Sequence, residues 1–142
     1  MAAGSWVLVA SARKNLLTGP LDIDTNTWQM HLLASTAVMA ASTNDAFSTV
    51  SADEVSTSST GYATASLTLS IAGGSKVTVD IGTDPVWTAT TDGFVARYAV
   101  IAEASGTMLC FAPLESDSSD VSITTGNTLT VAAAATGVFT LS

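Results

Sequence analysis

The chain has 142 residues, of which 11% are Asp, Glu, Lys or Arg, against about 25% in an ordinary globular protein. Its net charge of -8 excludes a nucleic-acid partner, because Arg13, Lys14, Lys76 and Arg97 alone are available to neutralise a phosphate backbone. The length suits a single domain with its own core, residues 1–142; no long apolar run marks a membrane span, and one cysteine leaves no intrachain disulfide framework.

From the N-terminus, Trp6, Val7, Leu8 and Val9 followed by Ala10-Ser11-Ala12 imitate a secretory signal, but Arg13 and Lys14 come after the apolar run instead of before it. No export signal is expected. Val9, Ala12, Leu16 and Leu17 stand at near-helical spacing, with Arg13, Lys14 and Asn15 on the other side, and Gly19-Pro20 then stops the pattern. This predicts a short amphipathic helix over residues 6–17 within an N-terminal arm, residues 1–20. A polar turn, residues 21–27, leads to a strand from Trp28 to Leu33, with Trp28, Met30 and Leu32 on one face and Gln29, His31 and Leu33 on the other. Residues 34–60, rich in Ser and Thr, form a long loop over one end of the fold, with Asp53 and Glu54 in a single helical turn capped by Ser51.

Beyond Gly61 the period becomes that of strands. Leu67, Leu69 and Ile71 alternate with Ser and Thr, a turn at Ala72-Gly73-Gly74-Ser75 follows, and Val77, Val79 and Ile81 return. A short strand at Val86-Trp87 and a turn at Thr91-Asp92-Gly93 precede the least polar stretch, residues 94–114. That stretch reads as a hairpin with both faces mostly apolar. It therefore needs cover on both sides, from a second sheet and from something else, with another protein chain as one candidate. Residues 115–120 are a solvated acidic loop, and strands at residues 121–123, 129–131 and 138–141 close the fold. Many short strands with turns between them and no helical crossovers define an all-β fold, an antiparallel β-sandwich of jelly-roll or immunoglobulin-like kind with one short N-terminal helix.

Chemical motifs are sparse. Asp22-Ile23-Asp24-Thr25-Asn26 has the alternating oxygens of a calcium loop, but Thr27 and Leu33 stand where that loop needs Gly and an acid, and turn chemistry explains the same residues. His31 is the only histidine, Cys110 lies in an apolar hairpin without a local catalytic motif, and Gly73-Gly74 lacks the lysine and helix of a phosphate loop. No catalytic residue, cofactor or metal site is assigned. A charge-poor surface docks against a neighbour at little desolvation cost, so assembly is expected. Trp6, Arg97, Tyr98, Ile101 and Phe111 are the candidate interface residues, with Trp6 as the preferred exposed anchor.

The segments Leu21 to Leu33, Ser51 to Val55, Thr60 to Tyr62, Val86 to Thr88, Ala96 to Ile101 and Gly137 to Ser142, in this order, resemble small virion proteins of tailed bacteriophages. The resemblance implies a non-enzymatic capsid decoration or cement subunit, made in the host cytoplasm and carried in the virion. Its partners would be other copies of itself, a trimer among the possible forms, and the major capsid protein, with no nucleic acid, membrane or cofactor. Two alternatives stand beside it: a head-tail or tail component, and a carbohydrate-binding or adhesin module stacking sugars on Trp87 or Tyr62.

Overall fold

The structure, a computed structural model, describes residues 4–141. It is an all-β, sandwich-like fold of antiparallel sheets with one short helix near the N-terminus. Strand β1 (Val7–Leu8), helix α1 (Ala10–Thr18) and β2 (Trp28–Leu33) come first. Two single 3-10 turns, Phe47–Thr49 and Ser51–Asp53, then lead to β3 (Ala65–Leu67), β4 (Leu69–Gly73), β5 (Val77–Ile81) and β6 (Val86–Thr88). The chain ends with β7 (Phe94–Ala96), β8 (Tyr98–Glu103), β9 (Met108–Pro113), β10 (Val121–Ile123), β11 (Thr128–Thr130) and β12 (Phe139–Leu141).

The largest sheet runs β1-β9-β8-β2-β3, a second runs β12-β5-β4, and β10-β7 and β11-β6 are two-stranded ribbons. Two strands expected to be continuous instead change sheets. Only Thr68 separates β3 from β4, and only Arg97 separates β7 from β8. At the second switch the Arg97 amide donates to Leu33 O at 2.8 Å, while its carbonyl accepts from Leu114 N at 2.8 Å, so the bend leaves no orphaned peptide group. These switches let four small sheets wrap one apolar core, which contains Trp28, Met30, Leu32, Ile101, Leu109 and Val131.

The helix begins later than its apolar spacing predicts. Residues 7 and 8 pair with Phe111 and Cys110 instead, Val9 N donates to Leu109 O at 3.1 Å, and Ala10 N donates to Ala41 O at 2.7 Å. Sheet pairing thus claims the amides that would have opened the helix. At its other end Gly19 adopts a left-handed conformation, φ 95°, and caps back onto Asn15 O, as the Gly-Pro pair foretold.

The central hairpin, β8 and β9, is covered on both faces by its own chain. Antiparallel partners share a face, so Met30, Ile101, Cys110 and Leu8 form one row across the large sheet, and His31, Val100, Phe111 and Val7 form a row on the opposite face. The first row is turned into the core. Over the second lies the Ser/Thr-rich segment of residues 34–60, which stacks Phe47 on His31, with ring centroids 3.8 Å apart. It is pinned by backbone bonds from Phe47 N to Gly106 O at 2.7 Å and from Met108 N to Asp45 O at 3.1 Å. The second cover is this loop, and no other chain is needed for it. In agreement, the accessible surface is 6822 Å², against about 6,800 Å² for a compact monomer of this mass.

Candidate functional site

The apolar surface that the fold leaves open lies elsewhere, between α1 and the β12-β5-β4 sheet. The register places Ile71, Val79 and Phe139 in one row of that sheet and Val77 and Leu141 in the next. This apolar face is only partly roofed by the helix residue Leu16 and by Leu21 and Ile23 beyond it. What remains is a trough of two adjoining clefts, about 510 and 300 Å³. Leu16, Phe139 and Leu141 are common to both, and Trp6, Val7 and Leu8 line the larger end. Leu17 is 86% exposed, Leu141 48% and Ile71 45%, so apolar surface stands open to water on both walls. The Trp6 indole N–H is buried here without a hydrogen-bond partner. Arg13 stands at the larger end and Asp22 at the smaller one, the only charged residues of the lining among the described residues.

Of the residues expected at an interface, Trp6 lines this trough. Arg97 and Tyr98 are half-buried at the strand switch, where the Arg97 Nε donates to Asp120 Oδ1 at 2.8 Å; that bond raises the Arg97 pKa. Ile101 and Phe111 are buried under the chain's own cover and offer no surface to a partner in this structure. The trough residues that sequence reasoning passed over did leave a signal. Leu16 and Leu17 are adjacent on a helix, about 100° apart, and so sit at the two edges of one apolar stripe; only Leu16 turns inward, and Leu17 is left in water. The C-terminal Val-Phe-Thr-Leu is apolar on both faces of its strand, and Val138 takes the core while Phe139 and Leu141 are left for the trough.

A second constellation is polar. Glu54 continues alongside the edge of β2, bridging Leu33, and its Oε1 accepts from three side chains: His31 Nδ1 at 2.9 Å, the Tyr62 hydroxyl at 2.6 Å and the Thr64 hydroxyl at 3.1 Å. Tyr62 Oη in turn accepts from Leu32 N at 3.0 Å. Burial pushes the Glu54 carboxyl upward, but the bonds from His31 and Tyr62, the electrostatic pull of His31 and the bond from Thr64 outweigh it, and the carboxyl lies below its ordinary value. The same burial and the Glu54 bond hold the Tyr62 phenol well above the ordinary tyrosine range. Ser51 does not cap the turn before Glu54 as expected; its hydroxyl donates to Ser48 O at 3.3 Å, and Glu54 is already extended.

This cluster has the acid and imidazole of a catalytic pair, with the Tyr62 and Thr64 hydroxyls on the same carboxylate oxygen and no cysteine beside them. His31 and Cys110 occupy opposite faces of the sheet, and Cys110 is fully buried, which pushes its thiol far up. The arrangement joins residues 34–60 to β2. Among the described residues no group of His, Cys, Asp and Glu is arranged to hold a metal. One oxygen each of Asp22 and Asn26 accepts a turn bond, Asp24 N to Asp22 Oδ1 at 3.0 Å and Asp22 N to Asn26 Oδ1 at 2.8 Å. Among the described residues no helix is long and apolar enough to cross a membrane. Compared with protein-family models, curated proteins and solved structures, the chain matches none.

Proposed function

We propose that this protein is a structural, non-enzymatic subunit that works by assembly, and specifically a bacteriophage decoration or cement protein that binds copies of itself and the major capsid protein in the virion. The observation that carries the assembly reading is the trough: an open apolar channel walled by exposed leucine and isoleucine. Such a channel is costly to leave wet and is characteristic of a docking surface. The phage particle comes from the ordered resemblance of the sequence segments, and no kinship found by comparison stands behind it. An acidic exterior fits a subunit that must not adhere to packaged DNA.

The sugar-binding alternative loses its platforms. Trp87 and Tyr62 are both core residues, Trp87 with its indole N–H donating to Ala63 O at 2.7 Å, so neither ring presents a face to a glycan. The assembly reading predicts that purified protein sediments as an oligomer and binds preformed heads that lack it. Binding to tails in place of heads would move the subunit to the tail, and a monomer with affinity for neither would refute the reading.

A further inference from the structure

We propose that the trough is a two-fold contact: it closes against the same trough of a second copy, with Arg13 of each copy meeting Asp22 of the other. The inference rests on the assembly reading and names the surface that performs it.

A two-fold interface brings one patch against itself, so the patch must be self-complementary about its centre. Leu16, Phe139 and Leu141 belong to both ends of the trough and form that centre. Arg13 stands only at one end and Asp22 only at the other. Rotation by 180° about the middle exchanges the ends and sets each cation opposite an anion. Both side chains are exposed, and neither is in an ion pair among the described residues. In a chain with 12 acids and 4 bases, two copies repel at long range, so a local pairing of opposite charges is required wherever they touch. Here the lining supplies one. A partner of different sequence has no reason to match this antisymmetric arrangement, whereas a second copy matches it by construction. Leu17, the most exposed apolar side chain of the trough, then enters the facing channel.

The test is a mixing experiment read by sedimentation equilibrium. Arg13→Asp and Asp22→Arg each place like charges together in their own dimer, and each is expected to weaken self-association by about tenfold. Mixed in equal amounts, the two variants set the introduced aspartate against the introduced arginine at one end and leave native Arg13 facing native Asp22 at the other. The mixture should therefore recover dimer close to the wild-type level. Leu17→Asp, at a largely exposed position, reads the same surface without touching the Asp22 turn; it should abolish the dimer while leaving the circular dichroism spectrum unchanged, and its melting temperature should lose the concentration dependence that dimerisation gives the wild type. A wild-type oligomer that all three variants form equally well, a mixture no tighter than its components, or a trimer by mass would each overturn the two-fold contact and leave assembly standing. A wild-type monomer at high concentration would overturn both.

Discussion

Glu54 is a small target with a large expected effect. Its Oε1 receives His31, Tyr62 and Thr64, and hydrogen bonds to a charged acceptor contribute about 1.5–3 kcal/mol each when buried. The carboxylate keeps 23% of its side chain in water, and the three bonds share one oxygen, so their sum is well below three full increments. Glu54→Ala also strands the buried Tyr62 hydroxyl and His31 Nδ1, and the expected loss is about 3 kcal/mol. In urea, where m is about 1–3 kcal/mol/M, this moves the midpoint by about 1–3 M. The pH dependence identifies the cause. The folded-state pKa of Glu54 is depressed, so its contribution is complete above the unfolded carboxyl value and disappears as pH falls through the lower, folded one. The stability gap between wild type and Glu54→Ala should therefore be constant from neutrality down to about pH 5 and shrink below the ordinary carboxyl range near pH 4. Equal stabilities at pH 7, or a gap that widens as pH falls below the ordinary carboxyl range, would refute the assignment of Glu54 as the anchor of the loop.

The remaining predictions concern buried groups and backbone. Cys110, with its thiol held protonated by burial, should resist a thiol-reactive dye in the native state and react stoichiometrically in denaturant; rapid native labelling would show that the hairpin opens. Trp87→Ala should cost about 3–5 kcal/mol in urea melts, as for any fully packed indole, whereas a wild-type-like melt would mean that this ring is not in the core. Gly61 and Gly19 both have positive φ, but a Cβ at Gly61 would collide with Thr88 O while one at Gly19 meets nothing. Gly19→Ala should cost about 1 kcal/mol from strain alone and Gly61→Ala clearly more, and equal losses in thermal melts would contradict the close approach at Gly61.

What the sequence made legible was local. Trp28–Leu33 is a strand with the expected bounds because Trp28, Met30 and Leu32 alternate along one buried face, and Gly19 stops the helix because the left-handed cap costs glycine nothing. The switches at Thr68 and Arg97 were not legible. A strand that changes sheets keeps its alternation on either side of the bend, and only the partners at 81 for Leu69 and at 121 for Ala96 reveal the break. Glu54 was equally hidden: its donors lie 23, 8 and 10 residues away, and nothing in a Ser/Thr-rich stretch indicates which acid is turned inward.

The loop also explains why sparse charge misleads about the hairpin and yet points correctly to an open surface. A segment of Ser, Thr and Ala has few large apolar groups, so hydropathy assigns it to solvent. It covers the outer face by laying Phe47 on His31 and is held there by backbone bonds to Gly106, Met108 and Leu32, and a backbone contribution is invisible to any scale of side chains. The apolar hairpin is thus satisfied within the chain. Residues 34–60 touch the helix only at its start, where Ala10 N donates to Ala41 O, and none of them lines either end of the trough. The loop is spent on the outer face of the hairpin, and the trough is the apolar surface it leaves uncovered.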